Sequence, residues 1–154
     1  MRKIVLSLVL FASVIAVSAQ PHAIGVRLGY GAEFSYQHGF GDKNMLQLDV
    51  GSPAFWGVHS VGTYNWIFPI PWKHAGSWNW YVGGGAGVGF GWRGTGIAGL
   101  AAMGGVEYNF KFPLQLSADY RPFIGIGFSR GGVSFYSDGL FLGGAIAISA
   151  RYRF

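Results

Sequence analysis

The pair His59-Ser60 is the first place to look for chemistry, because a serine beside an imidazole is a minimal kit for attack on an acyl ester. Consecutive residues of a β-strand point to opposite faces, so His59 cannot readily draw the proton from Ser60. A triad would need a partner carried in by a loop, such as Ser52 or Asp138. Gly89-Phe90-Gly91-Trp92-Arg93-Gly94 fits the G-x-G-x-x-G pattern of a phosphate cradle, but no helical pattern follows to aim backbone N–H groups at an anion. With 27 glycines in 154 residues, chance matches to that pattern come easily. The histidines His22, His38, His59 and His74 fall on separate segments without the close pair that marks a metal site, and cysteine is absent. No catalytic residue, metal or cofactor is expected from these residues.

The remaining chemistry is ionic. Arg27, Glu33, Asp49, Glu107, Asp119, Arg121, Arg151 and Arg153 each alternate with apolar residues at period two, so all eight lie on the strand face opposite the apolar one. Opposite signs on neighbouring strands can pair across a ladder, which makes Glu107 and Asp119 expected neighbours of Arg121. Closing the sheet on itself would bring Arg151 and Arg153 beside Arg27 and Glu33, with Asp49 further around the wall. Such a set can line a selective pore or form a salt-bridged plug. Eight strands enclose barely enough room for their own side chains, which favours the plug, although a breakable pair could gate a weak water or ion path.

These positions require strands. The last fifteen residues, LFLGGAIAISARYRF, place Leu140, Leu142, Ile146, Ile148, Ala150, Tyr152 and Phe154 on one face and Ser149, Arg151 and Arg153 on the other. Turn signals divide the chain into eight such segments, 22–30, 32–40, 44–51, 59–68, 78–90, 96–110, 113–124 and 139–154. Choosing each phase from its apolar residues turns Ile24, Val26, Leu28, Phe34, Leu46, Leu48, Val82, Val88, Leu100, Val106 and Leu116 outward. With residues 1–19 set aside as an expected leader, the other charges, Asp42, Lys43, Lys73, Arg93, Lys111, Arg130 and Asp138, fall in turns or loops. No charge needs to face lipid, where an Arg or Lys at mid-bilayer costs about 2–4 kcal/mol. A lipocalin-like soluble barrel would show the reverse arrangement.

Half of the chain is hydrophobic, yet no segment after the leader has the uninterrupted apolar length of a membrane helix. In hydrocarbon every backbone polar group must be paired internally, which leaves a closed sheet. Trp66, Trp72, Trp78, Trp80 and Tyr152 bunch at segment ends as an aromatic girdle expects. Residues 1–19 are expected to be a signal peptide: Arg2 and Lys3, an apolar run from Ile4 to Val17, and small residues up to Ala19. Without Arg2 and Lys3, nine Lys and Arg face six Asp and Glu with no basic run, so nucleic acid is not expected as a partner. The connections 41–43, 69–77 and 111–112 are assigned to the periplasm, although 69–77 is long for a periplasmic turn. The Gly31 turn and residues 52–58, 91–95 and 125–138 are assigned to the outside.

The leader, the segment GVEYNFKFPLQLSADYRPF (Gly105 to Phe123) and the terminal RYRF together make the chain resemble the small eight-stranded outer-membrane barrels of Gram-negative bacteria, the OmpX-like and OmpA-transmembrane-like group. The resemblance implies an all-β, eight-stranded antiparallel up-and-down transmembrane barrel over residues 20–154. It also implies an outer-membrane location among lipid and lipopolysaccharide, and Phe154 as the signal read by the barrel-assembly machinery. The expected role is structural or interactive, with a closed polar lumen, no catalytic site and a monomeric state. A lipid A-modifying enzyme and a narrow pore are the alternatives.

Overall fold

A computed structural model describes residues 22–53, 57–72, 75–138 and 145–154, and every regular element in it is a strand. In chain order these are β1 (His22–Leu28), β2 (Gly31–Phe40), β3 (Asn44–Pro53), β4 (Gly57–Ile70), β5 (Ser77–Gly91), β6 (Thr95–Asn109), β7 (Leu114–Tyr120), β8 (Phe123–Ser129), β9 (Gly132–Asp138) and β10 (Ile146–Arg153). The expected leader lies outside the described residues, as do Lys73, His74, Leu140 and Leu142.

Ten strands make eight staves. β6 pairs with β7 along Gly104–Asn109 and with β8 along Gly96–Ala101, so β7 and β8 are one stave interrupted at Arg121-Pro122. Proline has no N–H to give the ladder, and the break falls where it stands. Its carbonyl still accepts from Ala102 N at 3.1 Å, while Arg121 N donates to Ala145 O at 2.9 Å. β9 lies beside β8, and β10 lies beside β7. All pairings are antiparallel between staves consecutive in the chain, and β1 against β10 closes the ring. At that seam His22 and Phe154 exchange backbone hydrogen bonds of 3.1 and 2.9 Å. The architecture is a closed eight-stranded antiparallel up-and-down barrel.

One stretch departs from the expectation. Residues 125–138 carry enough glycine to suggest a loop, yet they form the β8–β9 hairpin, turning at Arg130-Gly131. In Phe123-Ile124-Gly125-Ile126-Gly127-Phe128 the glycines occupy the inner phase of a period-two pattern, leaving Ile124, Ile126 and Phe128 exposed outside. Gly125 packs so closely on β6 that a Cβ there would meet Ala98 O at 2.2 Å. The eighth segment correspondingly does not run as one strand from 139: residues 139–144 lie outside the described residues, and β10 begins at Ile146.

Side chains alternate around the whole wall. Outward residues such as Val26, Phe34, Leu48, Val88, Leu100 and Ile148 are exposed, while Ser35, Gln47, Asp49, Thr63, Asn65 and Arg151 inside are 0–1% exposed. The interior also holds two small apolar clusters. Met45, Tyr81 and Met103 form one, and Val61, Ile97, Ala101 and Phe123, with Tyr136 against them, form the other. Gly83, Gly85, Gly87 and Gly89 line the inner phase of β5, where a Cβ on Gly85 would lie 1.8 Å from Gly62 O, so bare backbone is required there.

Candidate functional site: the luminal charge network

Glu33 is the hub of the lumen. From β2 its Oε2 accepts from Arg27 Nη1 of β1 at 2.9 Å, and its Oε1 accepts from Arg121 Nη2 at 2.6 Å. His59 Nε2 of β4 lies 2.5 Å from the same Oε1. Arg27 also reaches Asp119 of β7 through Nε at 2.9 Å and Nη2 at 2.5 Å, and Arg121 reaches Asp49 of β3 through Nη1 at 2.5 Å. The chain Asp119–Arg27–Glu33–Arg121–Asp49 thus ties together the first, second, third and seventh staves. Each of these five residues is 8% exposed or less. Desolvating so many charges is costly, and opposite signs in direct hydrogen-bond contact are what make it tolerable.

Three placements differ from the sequence reading. Arg121 pairs with Asp49 and Glu33, not with Glu107 or Asp119. The side chain at the strand break reaches across the lumen, which a ladder argument limited to adjacent strands does not include. Asp49, expected further round the wall, is a full member. Arg151 and Glu107 each sit among neutral partners. Arg151 donates to Ser35 Oγ at 2.9 Å, Ser117 Oγ at 2.8 Å and Ser149 Oγ at 3.1 Å. Glu107 accepts from Asn79, Asn109 and Gln115 at 2.9–3.0 Å. Arg153 lines a chamber at the end of the barrel where the chain enters and leaves.

Sequence reasoning centred on charge missed this neutral half of the site. Gln37 donates to Gln47 at 2.9 Å, and Gln47 donates to Asp49 at 2.8 Å. The available signal was parity: residues 35 and 37 share the phase of Glu33, residue 47 that of Asp49, and residues 115 and 117 that of Asp119.

Two chambers flank the network. One, of about 40 Å³, lies among Arg27, Glu33, His59, Arg121, Phe123 and Tyr136, enough for a few waters. The other, of about 330 Å³ at the opposite end, is lined by Gln37, Asn79, Glu107, Asn109, Gln115 and Arg153 among others. They share no lining residue. Along the strands between them stand Arg151, Tyr81, Met103, Gln47, Asn65 and Thr63, all under 2% exposed.

The other sequence candidates are also placed. His59 points inward to Glu33 and Ser60 outward, and Ser52 Oγ donates to Gly57 O at 2.5 Å. The G-x-G-x-x-G stretch is a strand, a tight turn with Gly94 at φ +74° and a second strand, with no helix to bind an anion. Among the described residues no three His, Cys, Asp or Glu side chains gather as metal ligands. Trp66, Trp72, Trp80 and Tyr152 are exposed at one end of the barrel, and Trp78 packs between Trp72 and Tyr108 with centroids 5.5 and 4.8 Å away. Further ring contacts continue this belt through Tyr108, Phe110 and Phe112, and through Phe40, Tyr64 and Trp66. Compared with known protein families, curated proteins and solved structures, the chain matches none.

Proposed function

We propose that the chain is a bacterial outer-membrane barrel of the OmpX-like kind, with a structural or surface-interaction role and a lumen closed by its own ion pairs. The observation that carries the reading is the inversion of the usual globular pattern, with exposed Val, Leu, Ile and Phe covering the outside and the ionic groups of the wall buried inside. Water is a poor solvent for that outer face and lipid a good one. Ten-residue strands such as β2 and β3 rise about 33 Å along their axes, and a tilt near 45° brings this to the height of the apolar band of such barrels. The aromatic belt at one end suits the headgroup level. Arg93 and Arg130, exposed in the turns after β5 and β8, suit the phosphates of lipopolysaccharide.

The plug favours a structural role over conduction. Passage would require moving the fully buried layer between the chambers and separating Arg121 from both Asp49 and Glu33. Two measurements test the proposal: sedimentation of the expressed protein with outer-membrane markers, and planar-bilayer recording of the refolded protein beside its Glu107→Gln and Arg121→Gln variants. The expected result is co-sedimentation, with no current from the parent protein. A soluble product, or steady parent channels, would overturn the location or the closed lumen respectively.

A further inference from the structure

His22 and His38 are far apart in sequence but are direct Cα partners across the β1–β2 ladder. Their rings meet at 4.6 Å, on the outer face at the belt end of the barrel. Tyr36, two residues before His38 on the same face, brings its hydroxyl 2.9 Å from His22 Nδ1 and 3.5 Å from His38 Nδ1. The two imidazole Nδ1 atoms therefore both approach one phenol oxygen. Phe154 stacks on His22 with centroids 5.5 Å apart, and Phe40 meets His38 edge-on at 4.7 Å, which limits ring rotation. His22 is only 9% exposed, so its ring is held in place by its neighbours.

We propose that His22, Tyr36 and His38 form a binding site for a divalent transition-metal ion of the Cu²⁺ or Zn²⁺ class. Imidazole nitrogen with a phenol oxygen suits these borderline ions, whereas Ca²⁺ and Mg²⁺ require oxygen-rich cages. Bonds of about 2.0–2.1 Å in a tetrahedron set neighbouring donors about 3.3–3.4 Å apart, and the two Nδ1–Oη separations bracket that value. Little rearrangement is needed. Binding displaces the phenol proton into solvent, with each neutral imidazole bound through Nδ1 as the tautomer protonated at Nε2, and leaves a fourth position for water. A stacking role in the belt needs only flat rings. It does not require both Nδ1 atoms to face one oxygen.

The test uses the refolded full barrel in detergent micelles, with His74→Gln introduced so that the count of histidine sites is defined. Cu²⁺ is followed by electron paramagnetic resonance and Zn²⁺ by calorimetry. The expected result is one site per barrel with a copper spectrum split by two nitrogens. Affinity should fall at least about tenfold in His22→Gln and in His38→Gln, and stay unchanged in His59→Gln. A phenolate-to-copper absorption band is expected, and Tyr36→Phe should remove it. A mobility difference between unheated and heated samples on a denaturing gel, matching that of the parent protein, verifies folding of each variant. Equal affinity in the folded His22→Gln or His38→Gln protein would overturn the site, and a band surviving Tyr36→Phe would overturn its third ligand.

Discussion

Replacing Arg121 with glutamine should damage the barrel measurably, because that guanidinium serves two carboxylates. It holds Asp49 Oδ2 at 2.5 Å and Glu33 Oε1 at 2.6 Å. After its removal Glu33 keeps Arg27 and His59, while Asp49 keeps the Gln47 amide, with its Oδ1 already lacking a donor in the structure. Leaving one member of a buried pair uncompensated costs about 3–5 kcal/mol, and one new hydrogen bond from the glutamine recovers about 1 kcal/mol. The net loss should be about 2–4 kcal/mol. Reversible urea unfolding in phospholipid vesicles, followed by tryptophan fluorescence, measures it. Asp49→Asn added to Arg121→Gln should recover at least about 1 kcal/mol, because the stranded charge is then gone. Arg93→Gln, in the exposed turn after β5, should stay within about 0.5 kcal/mol of the parent and serves as the control. If Arg121→Gln also stayed within about 0.5 kcal/mol, the network would not be holding the staves together.

Other perturbations separate the two faces of the wall. Leu48→Arg puts a cation on the outer face near the middle of β3 and should cost about 2–4 kcal/mol in vesicles, read by the same unfolding assay. Gly85→Ala should destabilise by about 1–3 kcal/mol, since its Cβ would fall on Gly62 O and Thr63 Cα, while Gly62→Ala, whose Cβ meets nothing within 4 Å, should be nearly neutral. Ser117→Ala removes the closest acceptor of Arg151 and should cost about 1–3 kcal/mol, with Ser117→Thr recovering most of it.

Much of this barrel was legible because period-two alternation is a strict signal when one side of a wall is apolar. The phase chosen for Leu46, Leu48, Val82 and Val106 placed Asp49 and Glu107 inside with no further assumption. The β8–β9 hairpin was not legible, because glycine in the inner phase of a strand has the same composition as a loop; only the close approach of Gly125 to β6 distinguishes them. Partner choice inside the lumen was legible only in part. Cross-strand pairing relates Arg27 to Glu33, which face each other in the β1–β2 register, but the reach of Arg121 to Asp49 spans the lumen and depends on the break at Pro122. The approach of His22 to His38 depends on register too: until the β1–β2 ladder is set, nothing brings the two imidazoles together.

A membrane-spanning barrel requires the apolar face of this wall to meet lipid. Single cysteines introduced at residues 45 to 50 of β3, in a chain that has none of its own, can each carry a nitroxide after refolding into vesicles. Collision with oxygen reports hydrocarbon, and collision with a water-soluble nickel complex reports water. Labels at 46, 48 and 50 should show high oxygen and low nickel access, while 45, 47 and 49, inside the packed lumen, should show little of either. Nickel access at 46, 48 and 50 equal to that of an exposed turn residue such as Asp42 would contradict a membrane-spanning barrel.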